Sequence, residues 1–466
     1  MIQHRRVRLV SAAAATAALL GAGTAQAQTV HTLQEALAAA YNNNPTLLAE
    51  RAHLRSIDEN VPTALAGWRP TVVFQGQAGY AWGHETEFAQ SFKANRNFGS
   101  TQVTATQPLY MGGRTRATTS QAENEVMAER ARLIQAEQQA FSDGVNAYVN
   151  VIADKQVLQL DINNERVLTE QLRATNDRFR VGEITRTDVA QAEAALAQAQ
   201  AQAQTALGNL QTARATFRQV FGIDAAEDLV EPQPLQLPVK TEQQAVQLAA
   251  ANNPNVVAAL FDDAAAKDAI DVAFAKLMPN LNLQLSQLYE TNVTLPHSSD
   301  YGGQATLNLT VPLYQGGSEY AGIRQARQTE QSARKTADAQ RRAAVQQATQ
   351  AWETLVATRA SIDSDKAAIR ANQIALEGVE REAIVGSRTT LDVLNAEQAL
   401  LNSQVTLVQA LAQLVTQTYQ VASAVGRLTA RDLGLPVSLY SELAYYKAVR
   451  GKWFGTGDAA IAQPGR

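Results

Sequence analysis

The 466-residue chain is written twice, and this duplication restricts its possible folds more than any other feature. Segment 32–80 aligns with 241–289 at a constant offset of 209. Asn43-Asn44-Pro45 falls on Asn252-Asn253-Pro254, Pro70 on Pro279 and Tyr80 on Tyr289. Further on the offset is 204. Pro108-Leu109-Tyr110 with Gly112-Gly113 then matches Pro312-Leu313-Tyr314 with Gly316-Gly317. Val181-Gly182 matches Val385-Gly386, Asp188-Val189 with Ala192-Glu193 matches Asp392-Val393 with Ala396-Glu397, and Gly222 matches Gly426. A repeated unit of this size is one supersecondary assembly whose apolar faces are covered by its copy or by further chains. The change of offset falls between two strand-like segments, in a loop that is shorter in the second copy.

The copies span 28–230 and 241–430, joined by 231–240, EPQPLQLPVK, whose three prolines cannot continue a helix. Segment 431–466 follows, and its Gly- and Ala-rich tail, Gly451 to Arg466, is expected to be disordered. Residues 1–27 have the order of a secretory signal peptide: Arg5, Arg6 and Arg8, an apolar stretch, then Ala25-Gln26-Ala27. Cleavage after Ala27 removes three arginines and no acids, taking the formal net charge from −4 to −7. Beyond it no apolar run reaches the ~18 residues of a membrane-spanning helix. An exported chain of this kind is periplasmic, secreted, or a β-barrel in an outer membrane.

Each copy reads as helix, two strands, long helix, tight turn, helix. Strands are expected at about 70–85, 98–110, 279–290 and 301–313. In the second copy Leu281, Leu283 and Leu285 alternate with Asn280, Asn282, Gln284 and Ser286; Ala305, Leu307 and Leu309 alternate with Gln304, Thr306, Asn308 and Thr310. Val72, Phe74, Ala78, Tyr80 and Trp82 make one face in the first copy, and Val103, Ala105 and Leu109 oppose Gln102, Thr104 and Thr106. Such period-two alternation fits a soluble β-sandwich. It also fits a transmembrane barrel, whose strands need ~9–11 residues with apolar-out, polar-in alternation. Four strands cannot close a barrel and open edges are not tolerated in lipid, so the membrane reading requires several chains.

From 114 to 180 nothing interrupts a helix, since there is no Pro and only Gly144. Such a rod is ~100 Å long at 1.5 Å per residue. Phe141, Val145, Tyr148 and Ile152 follow coiled-coil spacing, and Val345, Thr349, Trp352 and Val356 are their counterparts. The helices expected at 188–221 and 32–66 are each about half as long and could stack end to end beside the rod.

These ordered features resemble the TolC family of outer-membrane channel proteins over about 32–430. The resemblance rests on the duplicated layout, the PLYMGG and PLYQGG corners, and the paired tips VGEITRTDV and VGSRTTLDV. It implies an α+β membrane protein: long antiparallel coiled-coil helices forming a periplasmic tunnel, and four β-strands per chain in a trimeric twelve-stranded barrel. It implies a passive exit duct in the cell outer membrane that docks onto a periplasmic adaptor protein and an inner-membrane pump, either an ABC or a proton-driven one. The remaining alternative is an exported coiled-coil structural protein without channel activity. With no Cys there is no lipidated N-terminus, which points toward type I protein secretion rather than dedicated drug efflux.

Carried over from the family, Asp392 falls on a ring aspartate that constricts the closed tunnel. Asp188 and Arg388 fall on partners of a linking salt bridge, and Thr187 on its hydrogen-bonding neighbour. The second ring aspartate is Asn395 here, and a tyrosine of the link is Ala383. The tips, with Val181, Gly182, Val385 and Gly386, are expected to meet the adaptor. Read without the family, Asp188 and Asp392 are helix caps or first-turn acids, and Gly182 and Gly386 are turn glycines. No enzyme motif, nucleotide-binding loop or metal-ligand spacing is present, so no cofactor and no ATP site are expected. The modest negative charge argues against nucleic acid as a partner.

Overall fold

The computed structural model describes residues 30–87, 90–93, 95–293, 297–457 and 459. The leader expected at 1–27 and the last residues of the tail, from 460, lie outside the described residues. In chain order the first copy comprises α1 (Leu33–Asn43), α2 (Pro45–Asp58), α3 (Asn60–Leu65), β1 (Thr71–Ala81), a small hairpin of β2 (His84–Glu87) and β3 (Gln90–Lys93), β4 (Arg96–Met111), α4 (Arg114–Arg180) and α5 (Arg186–Phe221). The second comprises α6 (Glu242–Asn252), α7 (Pro254–Phe274), β5 (Asn280–Thr291), β6 (Ser299–Thr310), α8 (Ser318–Ile384) and α9 (Thr390–Ala424). A further helix, α10 (Glu442–Val449), stands in the segment after the second copy, where the sequence suggests no element.

Helices α4 and α8 are both 67 residues long. The expected single helix over 32–66 is instead three pieces, and the reason is local. Asn44 is extended and its Oδ1 accepts from the N–H groups of Thr46 and Leu47, while Pro45 takes the first helical position. Asn253 and Pro254 repeat this in the second copy, where Oδ1 accepts from Asn255. Each of these asparagines also reaches another helix. Asn44 Nδ2 donates to the carbonyl of Val220 near the end of α5, 3.4 Å away, and Asn253 Nδ2 to that of Ala424 at the end of α9, 3.2 Å away. The Asn-Asn-Pro motif is thus a splice joining a short helix to the return helix of its own copy. Gly426 seals the second splice at φ +76°, where a Cβ would lie 2.4 Å from the carbonyl oxygen of Asn252.

The largest core lies at the first splice. Leu37 and Tyr41 of α1 meet Phe141, Val145 and Tyr148 of α4 and Phe217 and Phe221 of α5, all buried. Gly144 is small because Leu37 and Phe221 occupy the space a Cβ would need. Arg51 is buried over the Tyr41 ring, 4.3 Å from its centroid, and donates to the Tyr41 carbonyl. The second copy packs differently from its pattern. Ala344, Ala348, Ala351 and Leu355 are buried, whereas Val345, Thr349 and Trp352 are half-buried and Val356 is exposed. The contact stripe lies one residue earlier because alanines let the backbones approach closely. The larger stripe beside it is only partly covered in one chain.

Candidate functional site

Two regions can carry function: the four-stranded sheet at one end of the rods and the helical tips at the other. The sheet is antiparallel in the order β1-β4-β5-β6, with both outer edges unpaired within the chain among the described residues. Its register puts Phe74 beside Val103, Ala105 beside Leu285, Leu283 beside Leu307, Leu281 beside Leu309 and Tyr289 beside Tyr301. These apolar side chains therefore share one face across all four strands. On the opposite face Gln75 pairs with Gln102, Thr104 with Ser286, and Gln284 with Thr306. One detail corrects the period-two reading. β4 bulges between Pro108 and Tyr110, so Tyr110, not Leu109, pairs with Leu281 on the apolar face. Proline lacks the ladder donor and is accommodated at the bulge. From Leu281 to Tyr289 along β5 is roughly 26 Å at ~3.3 Å per residue, about 20 Å of height at a tilt of about 40°. Aromatic side chains mark both limits: Tyr110 at the helical end, and Tyr80, Tyr289 and Tyr301 at the hairpin end, all exposed.

At the far end, α4 and α8 stop in the same way. Gly182 and Gly386 both have φ +81°. Gly182 N–H donates to Phe179 and Glu183 N–H to Arg178; Gly386 donates to Ala383 and Ser387 to Glu382. These paired bonds form a Schellman closure. The next helices start with capping boxes. Thr185 caps α5, and Asp188 Oδ2 accepts from the Thr185 N–H at 3.0 Å and its hydroxyl at 2.7 Å. Thr389 caps α9, with Asp392 Oδ2 at 2.9 and 2.8 Å from the same groups. The aspartates are therefore third-position partners of threonine caps and not caps themselves. The Thr185 hydroxyl and then its N–H hold the Asp188 carboxyl below its usual range. For Asp392 the Thr389 N–H acts first, then the hydroxyl. Both remain anionic at neutral pH.

Arg388 Nε pairs with Glu382 at 2.8 Å, which holds its guanidinium protonated, with a smaller contribution from Asp392. Within the chain it makes no ion pair with Asp188. Thr187 and Asn395 are exposed, and so are Val181 and Val385, which leave two apolar points at the extremity.

One further tip residue stands out in the sequence only as a repeat match. Glu397 lies on the buried stripe of α9 with Thr390, Val393, Leu394 and Leu401, 8 % exposed, and its Oε2 has no hydrogen-bond partner. Burial, and then the charge of Glu380 on α8, push its carboxyl up to about 7. Its sequence counterpart Glu193 is exposed. The available signal is position, because Glu397 stands four residues from both Val393 and Leu401.

In the part of α4 nearer the sheet a polar network ties three helices together. His53 Nδ1 lies 2.6 Å from Glu129 Oε1, and Arg132 bridges Glu129 Oε2 at 3.1 Å and Asp262 at 2.6 Å. His53 and Asp262 occupy equivalent positions of the two repeats at offset 209. Glu50, His53 and Glu129 are the one cluster among the described residues with ligand atoms close enough for a metal ion. Both oxygens of Glu129 already have cationic or hydrogen-bonding partners, so the group acts as a clamp between α2, α4 and α7.

The comparisons with known proteins agree with this geometry. The family described as "Outer membrane efflux protein" matches residues 33–223 and 245–427. Outer membrane efflux protein BepC of Brucella suis is 36% identical over 436 residues, 93% of each chain. Outer membrane protein TolC of Escherichia coli is 25% identical over 418 residues, covering 84% of this chain and 81% of that one. The crystal structure of the outer membrane protein VceC of Vibrio cholerae superposes with a TM-score of 0.74 at 21% identity, over 84% of this chain and 96% of that one.

Proposed function

This chain belongs to the outer membrane efflux protein family, and on that premise we propose that it is the outer-membrane exit duct of a tripartite exporter. It is an outer-membrane channel protein and not an enzyme, built as a helical periplasmic tunnel with a β-barrel. The single observation that carries the duct is the continuous apolar face across β1-β4-β5-β6, backed by a polar one and bounded by unpaired edges. Lipid does not tolerate unpaired edges, so each β1 must meet the β6 of another chain. Three chains then supply the twelve strands of a closed barrel. The helices, too short of apolar residues to cross a membrane themselves, continue the lumen into the periplasm.

The partners in this reading are a periplasmic adaptor and an inner-membrane pump, ABC or proton-driven, with the tips carrying Val181, Gly182, Val385 and Gly386 as the adaptor's contact. Asp392, Asp188, Arg388, Thr187 and Asn395 form the constriction, and opening is a rearrangement of the tips. The salt link between Asp188 and Arg388 then forms only after Arg388 releases Glu382. The lining supports the duct role as well. The groove between α4, α8 and α9 presents Gln139, Asn146, Gln350, Thr354, Gln417 and Gln420. Such amides and hydroxyls suit a wall facing water, as a water-filled lumen requires. Protein secretion, rather than dedicated drug efflux, is the cargo reading we put to test.

Conductance in planar bilayers tests the duct. Small cation-selective steps are expected from the purified protein, with larger steps from Asp392→Ala. A well-folded protein that conducts nothing would overturn the duct. Deleting the gene tests the cargo: loss of a secreted protein from the medium is expected, and a strain that becomes drug-sensitive with its secretome intact would reverse that assignment.

A further inference from the structure

We propose that the turn following α10 is a membrane-interface anchor, with Trp453 and Phe454 seated in the phospholipid layer at the periplasmic mouth of the barrel. The proposal rests on the membrane placement of the four-stranded sheet. Its geometry begins at Arg69, two residues before the first residue of β1. Arg69 Nη1 donates to the Lys452 carbonyl at 2.9 Å, and its guanidinium lies 4.9 Å from the centre of the Trp453 ring. The C-terminal segment thus runs along α2 and α4 to the level where the strands begin. It is fixed on the way, since Tyr445 donates to Glu59 at 2.8 Å and Arg450 to Glu123 at 2.8 Å.

Having been brought there, the two rings gain little from the chain beyond the Arg69 guanidinium over Trp453. Trp453 is 58 % and Phe454 86 % exposed, and they touch each other with centroids 6.2 Å apart. Apart from that contact, the remaining exposed surface of two adjacent large aromatics on a pinned turn is unfavourable in water. At a bilayer surface the same pair is favourable, because amphipathic rings collect at the headgroup level. Trp68, Tyr110 and Tyr314 are also exposed at this end of the strands, so the turn continues an existing aromatic belt. Arg69 and Lys452 lie in or against the same turn and match the anionic phosphates of phospholipid. The anchor gives the C-terminal segment, which binds α2 and α4, a fixed depth relative to the lipid.

The chain has no cysteine, which permits site-specific labelling without background substitutions. Spin labels at Phe454→Cys, Leu307→Cys on the strand face and Ser364→Cys on the exposed rod would be compared in the full-length protein. The protein would be reconstituted in phosphatidylethanolamine/phosphatidylglycerol vesicles, with collision rates measured against oxygen and a water-soluble nickel chelate. The anchor predicts a several-fold preference for oxygen over nickel at 454 relative to 364, at a shallower depth than at 307. Nickel access at 454 equal to that at 364 would overturn it. Protection from both reagents would also overturn it, by placing the rings against a neighbouring subunit. If 307 itself were open to nickel, the barrel placement would fail first and the anchor with it.

Discussion

Glu397 makes the packing of α9 at the tip sensitive to pH, in a direction fixed by its burial. A carboxyl raised from 4.5 to about 7 is held neutral by the fold. The folded state therefore binds a proton more tightly than an opened one. Its contribution to stability is fully present below about 4.5 and is lost as pH rises through about 7. At ~1.36 kcal/mol for each tenfold difference in proton affinity, the change is about 3 kcal/mol, or roughly two orders of magnitude in a local opening equilibrium. The groups facing it favour this sign, because Glu380 on α8 adds negative charge and the Oε2 of Glu397 has no donor to stabilise an anion. Amide hydrogen exchange over 390–401, corrected for intrinsic rates, reads the effect directly. Protection in wild type should fall steeply between pH 5 and 7.5, and in Glu397→Gln, which keeps the shape and removes the titration, it should stay nearly flat. The open fraction of single channels should follow the same split. Parallel pH profiles for the two proteins would refute the reasoning and leave Glu397 a solvated surface acid.

The splices can be tested by removing one asparagine. Asn253→Ala loses a helix cap and the buried bond to Ala424, a destabilisation of about 2 kcal/mol that should lower the thermal midpoint of the purified protein. Asn253→Asp, which keeps the cap oxygen but loses the Nδ2 donor, should retain part of that stability. On the sheet, Leu307→Arg places a charge on the lipid face, costing ~2–4 kcal/mol near mid-membrane, and should reduce assembled protein in outer-membrane fractions. Gln304→Arg, on the opposite face, should assemble normally and shift ion selectivity instead; equal assembly of both variants would contradict the assignment of faces.

What the sequence discloses here depends on whether the decisive interaction is periodic or single. The strands and the two long helices rest on repeated local preferences, so alternation in 280–286 and the lack of breakers over 114–180 reveal them. Single events stay hidden. The Asn-Asn-Pro motifs are visible as repeats, yet their donors reach carbonyls 176 and 171 residues away, and no local pattern records that. The bulge at Leu109 shifts one residue and returns Tyr110 to the apolar face. At the tips the aspartates are legible, but the family analogy looks for their partners in neighbouring helices, while the nearest ones are the threonines three residues before them. The contact stripe of α8 differs by one residue from its sequence pattern for a related reason. Hydrophobic size marks Val345 and Trp352, whereas close helix approach selects Ala344 and Ala351.

The same distinction explains how one duplicated unit becomes a chain with two different halves. Along α4, Glu129 and Arg132 stand three residues apart, and the equivalent positions of the two repeats answer them with opposite polarity: His53 from α2 and Asp262 from α7. Exchanging the two short helices would place Asp262 against Glu129, setting like charges together, and would leave Arg132 facing His53 in place of the Asp262 carboxylate. Apolar spacing is nearly shared between the repeats and cannot by itself decide which short helix lies on which side of α4. The charge pair can, and Ser120 and Asn124, which both donate to Asp268 on α7, add a second discrimination closer to the sheet. Duplication thus supplies the shape of the duct wall, and these few unmatched polar residues fix the order of its staves.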